Sequence, residues 1–108
     1  MEANFGEYIR KLRTNNDLTL TQLGAKLGVD SGALSKIETG KKDFDAKCLD
    51  RLANTFDLDI EKLKVEYFGE QFAKKMYAYN CSREVLIVAE EKVKYLKNIN
   101  VKQEELKF

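Results

Sequence analysis

The residues from Leu18 to Gly40, LTLTQLGAKLGVDSGALSKIETG, leave this chain few ways to fold. They read as two short helices with a tight turn between them. Leu20, Leu23, Ala25 and Leu27 can supply the apolar side of the first, and Leu34 and Ile37 that of the second. Gly28-Val29-Asp30 is a helix stop followed by a helix start. Glycine suits the left-handed position just past a helix end. Asp30 or Ser31 can accept from the unpaired N–H groups of the next helix. Thr19-x-x-Gln22 has the form of a capping box at the start of the first helix, and Leu18 with Leu23 can form its hydrophobic staple.

Two helices of this length on so short a turn make a helix-turn-helix unit. The second helix of such a unit usually enters the DNA major groove. The surrounding residues extend the pattern: Ile9-x-x-Leu12-Arg13, Leu18-Thr19, Leu23-Gly24-x-x-Leu27-Gly28-Val29, Leu34-Ser35-Lys36-Ile37-Glu38-Thr39-Gly40-Lys41, Leu49-x-x-Leu52-Ala53 and Phe56-x-Leu58. Over roughly sixty residues this resembles the lambda-repressor-like helix-turn-helix domain of the Xre/Cro family, and such spacing is far more specific than a single short motif. The resemblance implies an all-α fold with a five-helix domain over residues 1–64; no comparably specific match covers 65–108, where apolar periodicity predicts a helical C-terminal extension. The resemblance also implies an ion pair between Arg13 and Glu38, and base contacts from residues matching Ser31, Gly32 and Lys36. Three positions depart from the family pattern. Leu20 stands where a phosphate-touching Gln is common. Gly24 stands where Ala is common, an exchange expected to be mild because both allow close helix approach. Phe44 stands where Pro is common.

Composition narrows the function. With 19 basic and 18 acidic residues the chain has no bulk attraction to nucleic acid, so DNA binding needs a local basic face. Histidine is absent, which excludes His-based triads, His general bases and His metal ligands. Cys48 and Cys81 have no metal-like spacing, and so few cysteines suggest reduced thiols in a cytoplasmic protein. The beginning, MEANFGEYIRK, lacks the apolar core of a signal peptide, and the longest apolar run, Val85 to Ala89, is too short to span a membrane. No cofactor or metal is expected. No convergent catalytic set is present, and the sequential pairs Glu90-Glu91 and Glu104-Glu105 diverge around a helix, so an enzyme is not expected.

Along the chain, apolar periodicity predicts a first helix over about Phe5–Asn15, with Asn15-Asn16-Asp17 as its exit. A fourth is expected over Ala46–Phe56, capped by Asp45, with Phe44 stapled to Leu49 and Cys48 at the edge of its apolar stripe. A fifth starts after Asp59 and carries Val65, Phe68, Phe72, Met76 and Tyr79 at helical spacing. Asn80-Cys81-Ser82 breaks that pattern, and Ser82 can cap a sixth helix over about Arg83–Asn98. The tail from Asn100 is polar and expected to fray, with Leu106 and Phe108 able to dock.

On the outward side of the recognition helix, Ser31, Gly32, Ser35 and Lys36 are the candidate base-contacting residues, with Thr39 beside them. Lysine can donate to guanine O6 and N7. Lys41 and Lys42 after that helix, and Thr21 and Gln22 at the start of the preceding one, are the candidate phosphate contacts. The expected function is sequence-specific binding of a double-stranded, palindromic DNA operator by a homodimeric transcriptional regulator, a repressor or a controller protein. Leu86, Ala89, Val93 and Leu96 are the expected dimer interface, a surplus apolar stripe. The alternative is a protein-interaction module, such as an antitoxin, that uses the helical scaffold to bind a partner protein.

Overall fold

The backbone follows its local capping chemistry closely. A computed structural model describes residues 4–106, with side chains described for 4–100, and among these residues there are six α-helices and no strand. They are α1 (Phe5–Asn15), α2 (Leu20–Leu27), α3 (Ser31–Glu38), α4 (Leu49–Phe56), α5 (Ile60–Ala78) and α6 (Glu84–Leu106). Asn4 caps α1 by accepting from the Glu7 N–H. Thr19 and Gln22 form both bonds of the capping box on α2. Asp30, rather than Ser31, caps α3, accepting from the Ala33 N–H at 2.7 Å. Gly28 ends α2 at φ 74°. Asp17, Asp57 and Asn80 take the left-handed conformation after α1, α4 and α5, using the residue types that tolerate it best after glycine.

Two compact units, Met1–Ala73 and Lys74–Phe108, divide the chain, and α5 runs through the division. In the first unit α1 packs on α3, and α2 packs on both α3 and α4. Ile9, Leu23, Leu27, Leu34 and Leu52 are fully buried at its centre. Each such side chain stabilises the fold by about 1.5–3 kcal/mol before chain entropy is subtracted. Leu20 is half-buried against this core, whereas Ala25 is exposed and lies off the apolar face expected for it. Gly24 takes the inward position instead.

The expected start of the fourth helix needs correction. The first turn of the fourth helix is a 3-10 turn over Ala46–Cys48, and the α-helix begins at Leu49; Asp45 caps that turn through the Lys47 N–H. Tight turns of this kind are common at helix N-termini. Phe44 is buried, and its ring lies against Phe5 and Tyr67 at centroid distances of 5.7 and 6.5 Å. Leu49 is buried in the same core. On α5 the core-facing residues are Leu63 and Tyr67, while Val65, Phe68, Phe72 and Tyr79 are exposed. Tyr67 donates its hydroxyl to the Phe44 carbonyl, and both Glu70 carboxylate oxygens accept from the Phe5 N–H at 3.1 and 3.2 Å.

The second unit begins with the last turn of α5. The Cys81 N–H bonds the Met76 carbonyl, and the Ser82 carbonyl accepts from the Val85 N–H as α6 begins. That helix continues to Leu106, well beyond the end expected near Asn98. No glycine or proline interrupts the stretch, and Gln103-Glu104-Glu105-Leu106 are good helix formers. Docking of the Leu106 and Phe108 side chains lies outside the described residues. Every residue from 84 to 98 is exposed.

The expectation that glycine and alanine are nearly equivalent at position 24 is also overturned. A Cβ on Gly24 would lie 2.3 Å from the Val29 carbonyl oxygen, and one on Gly6 would lie 2.1 Å from that of Ile37. Backbone atoms cannot swing aside as a side-chain tip can, so α2 and α1 approach their neighbours as only glycine allows. Gly24→Ala and Gly6→Ala should each destabilise the protein by about 1–3 kcal/mol in urea unfolding. Gly69→Ala on α5, where a Cβ meets nothing within 4 Å, should instead stabilise it by about 0.5–1 kcal/mol.

Candidate nucleic-acid interface

Packing decides which side of α3 is available. Leu34, Ile37 and Glu38 are buried, which turns Ser31, Gly32 and Lys36 outward, all three exposed, with Ser35 half-buried beside them. Thr39 directs its hydroxyl back to its own helix, donating to the Ser35 and Lys36 carbonyls at 3.0 and 3.2 Å. Gly32 is not demanded by sterics, since a Cβ there would meet only the Asp30 Oδ1 atom, at 3.3 Å.

The chain then folds back over the end of α3. Gly40 takes φ 81°, and the Lys41 and Lys42 N–H groups both bond the Lys36 carbonyl, at 2.8 and 3.2 Å. The backbones of three lysines thus converge on one carbonyl oxygen, and the side chains of all three are exposed. Thr21 and Gln22 are exposed in the first turn of α2. The Gln22 carboxamide oxygen accepts from the Thr19 N–H at 2.9 Å, which leaves its amide nitrogen to donate outward. Leu20 is half-buried and offers no polar group.

Beneath this surface Arg13 and Glu38 form a two-pronged ion pair. Arg13 Nε donates to Glu38 Oε2 at 2.7 Å and Nη2 to Oε1 at 2.9 Å, while Nη1 donates to the Leu18 carbonyl at 3.0 Å. Glu38 is 7% exposed. The hydrogen bonds to Glu38 push the Arg13 guanidinium above its already high ordinary range; burial opposes this and the Glu38 charge adds to it. The pair ties α1 to the end of α3 and to the turn before α2. Arg51 does the same for the helix-turn-helix corner, as its Nη1 donates to the Leu27 carbonyl at 3.2 Å, closing the end of α2 from α4. Sequence patterning did not find Arg51, because a long-range cap on a backbone carbonyl leaves no periodic signal.

A family model described as helix-turn-helix matches residues 9–63. The chain belongs to the helix-turn-helix family. Membership supports a DNA-binding transcription regulator, a class that is generally not enzymatic. No curated protein matches the chain. Among solved structures, a chain of the SinR protein/SinI protein complex has 19% identity and a TM-score of 0.47, covering 86% of this chain and 97% of that one. Tyr67 and Glu70, which hold the Phe44 loop and the start of α1, lie beyond the residues that the family model matches. Among the described residues, no helix is long and apolar enough to cross a membrane.

The buried ion pair yields a quantitative expectation. Arg13→Ala leaves the Glu38 carboxylate buried without its partner and should cost about 3–5 kcal/mol of stability. In a double-mutant cycle with Glu38→Ala, followed by urea unfolding, the second substitution should cost much less once the first is made. Simple additivity of the two losses would show that the residues do not act as a pair.

Proposed function

We propose that this protein is a homodimeric, sequence-specific double-stranded DNA-binding transcriptional regulator, a repressor or controller-type protein of the Xre/Cro kind acting in the cytoplasm. The observation that carries the reading is the outward polar face of α3 joined to the lysine loop folded over its end. With α3 in the major groove, Ser31, Gly32, Ser35 and Lys36 meet base edges. Lys41 and Lys42 meet phosphates beyond the end of α3, and Thr21 and Gln22 meet them at the start of α2. The domain organisation follows as a DNA-binding part over residues 1–64 and a dimerising extension over 65–108.

Dimerisation is part of the reading because one small helix-turn-helix unit reads only a few base pairs. Two copies read a palindromic operator with half-sites about 34 Å apart, one helical turn. The apolar stripe of α6 supports this: Leu86, Val93 and Leu96 are 46%, 48% and 56% exposed, and Ala89 between them is exposed too. Residues of this type at three- and four-residue spacing suit a helix-to-helix seam.

A second reading, a protein-interaction module of the antitoxin type, is favoured by the run Val85 to Val88. Four consecutive apolar residues point all around a helix, and all four are exposed. An unlike partner covering that run, with no duplex binding, would replace the regulator reading.

Selection of bound sites from random duplexes tests the proposal, and recovery of a two-fold symmetric sequence is the expected outcome. On that sequence Lys41→Ala and Lys42→Ala should weaken binding to all variants alike, each flattening the salt slope by about one unit. Lys36→Ala should relax preference at one base pair, at a cost of about 1–3 kcal/mol. If base preference survives that change intact, Lys36 is a phosphate contact. In sedimentation at micromolar concentration the full-length chain should be a dimer, and the Val93→Asp, Leu96→Asp double variant a monomer with unchanged helicity. A monomeric wild type would refute the placement of the interface on α6.

A further inference from the structure

We infer that Tyr67 is a positioning residue for DNA-backbone contact, its hydroxyl fixing the loop that carries Lys41 and Lys42. The inference rests on the reading of those lysines as phosphate contacts. A lysine ammonium sits on a long flexible stem, so where it can reach depends on where its backbone is held. The loop between α3 and the 3-10 turn has one anchor in the Lys36 carbonyl, which takes the Lys41 and Lys42 amides. That anchor lies at the α3 end of the segment, next to Gly40 with its φ of 81°.

A further anchor is at Phe44. Its ring is buried against Phe5 and Tyr67, and its carbonyl accepts the hydrogen bond of the Tyr67 hydroxyl. Tyr67 is itself 6% exposed, and its ring meets Phe5 edge-on at 5.2 Å. These ring contacts need no hydroxyl, and a phenylalanine would make them equally well. The hydroxyl adds a polar bond, out of water, to the backbone two residues past Lys42. Removing it leaves the Phe44 carbonyl to seek water, which it can do only if the loop moves outward. Tyr67 therefore contributes to phosphate contact without touching DNA.

The test compares the full-length wild type with Tyr67→Phe. Binding to a mixed-sequence duplex is titrated across a range of salt concentrations, and amide hydrogen exchange is followed on both proteins. The Tyr67→Phe slope of log affinity against log salt should be shallower by about one to two units. Its Lys41 and Lys42 amides should exchange about tenfold faster, with Leu23 and Leu27 in α2 unchanged. An unchanged slope overturns the inference, whether or not the loop amides exchange faster. Weaker binding at the same slope also overturns it, because that marks fewer folded molecules rather than fewer phosphate contacts. A wild type without salt-dependent duplex binding removes the DNA reading and this inference together, and it is seen before any variant is compared. If Tyr67→Phe does not fold, the wild-type Tyr67 hydroxyl proton decides: exchange slow enough to be observed by NMR supports a standing bond to the Phe44 carbonyl, and exchange at the rate of a solvent-exposed phenol overturns it.

Discussion

The Arg13–Glu38 fork is the interaction on which the arrangement of the first four helices most depends. A carboxylate at the end of α3 is an awkward neighbour for an apolar core, since burying a lone charge is costly. Here both of its oxygens are met by one planar guanidinium, and the remaining arm of that guanidinium takes the Leu18 carbonyl. The geometry leaves little freedom, because a bidentate pair fixes angle as well as distance. It holds α1 over α3, where the Gly6 backbone comes close to the Ile37 carbonyl. The outward face of α3 is thus set by polar and steric constraints on its inward face.

What was legible in the sequence was what is local. Thr19 and Gln22 stand three residues apart and cap one another; Gly28 and Asp30 mark adjacent helix ends; Asp17 and Asn80 follow helices whose apolar rhythm stops. The outward positions on α3 follow from the burial of Leu34 and Ile37, which spacing alone implies. What was not legible was what crosses between distant segments. Glu70 on the start of α1, Arg51 on the end of α2 and Tyr67 on the Phe44 carbonyl are single polar contacts spanning many residues, and no pattern in the chain announces them. A partial signal existed for Tyr67, four residues after Leu63 and so on the same helix face, but the rhythm of Phe68, Phe72 and Met76 competed with it. Gly24 misled for a related reason, since only coordinates show a neighbouring carbonyl where its side chain would be.

The charge distribution gives the proposed interface its character. The first 73 residues hold more acidic than basic side chains, so the basic groups near α3 act against an unfavourable background. Within these residues, on the proposed reading, the acidic side chains away from the lysine loop disfavour approach to phosphate, so orientation carries more of the discrimination. Such a protein gains affinity by placing a few cations well rather than by carrying many. That makes the backbone of the Gly40–Phe44 segment as consequential as the side chains it bears.

Gly32 stands apart from Gly6 and Gly24 in what it permits over evolutionary time. The latter two are locked by carbonyl oxygens that would collide with any side chain, so substitution there disturbs the fold itself. Position 32 lies on the exposed face of α3 and is bounded only by the Asp30 carboxylate that caps the helix, which must shift slightly to admit a side chain. A residue of almost any size can enter there without repacking the core, and it would also relieve the helix of glycine's entropic handicap. On the proposed reading, a single codon change at that position could redirect the protein to a different operator while its scaffold stays intact. Divergence between duplicated copies of such a gene would then begin with recognition and leave stability almost untouched.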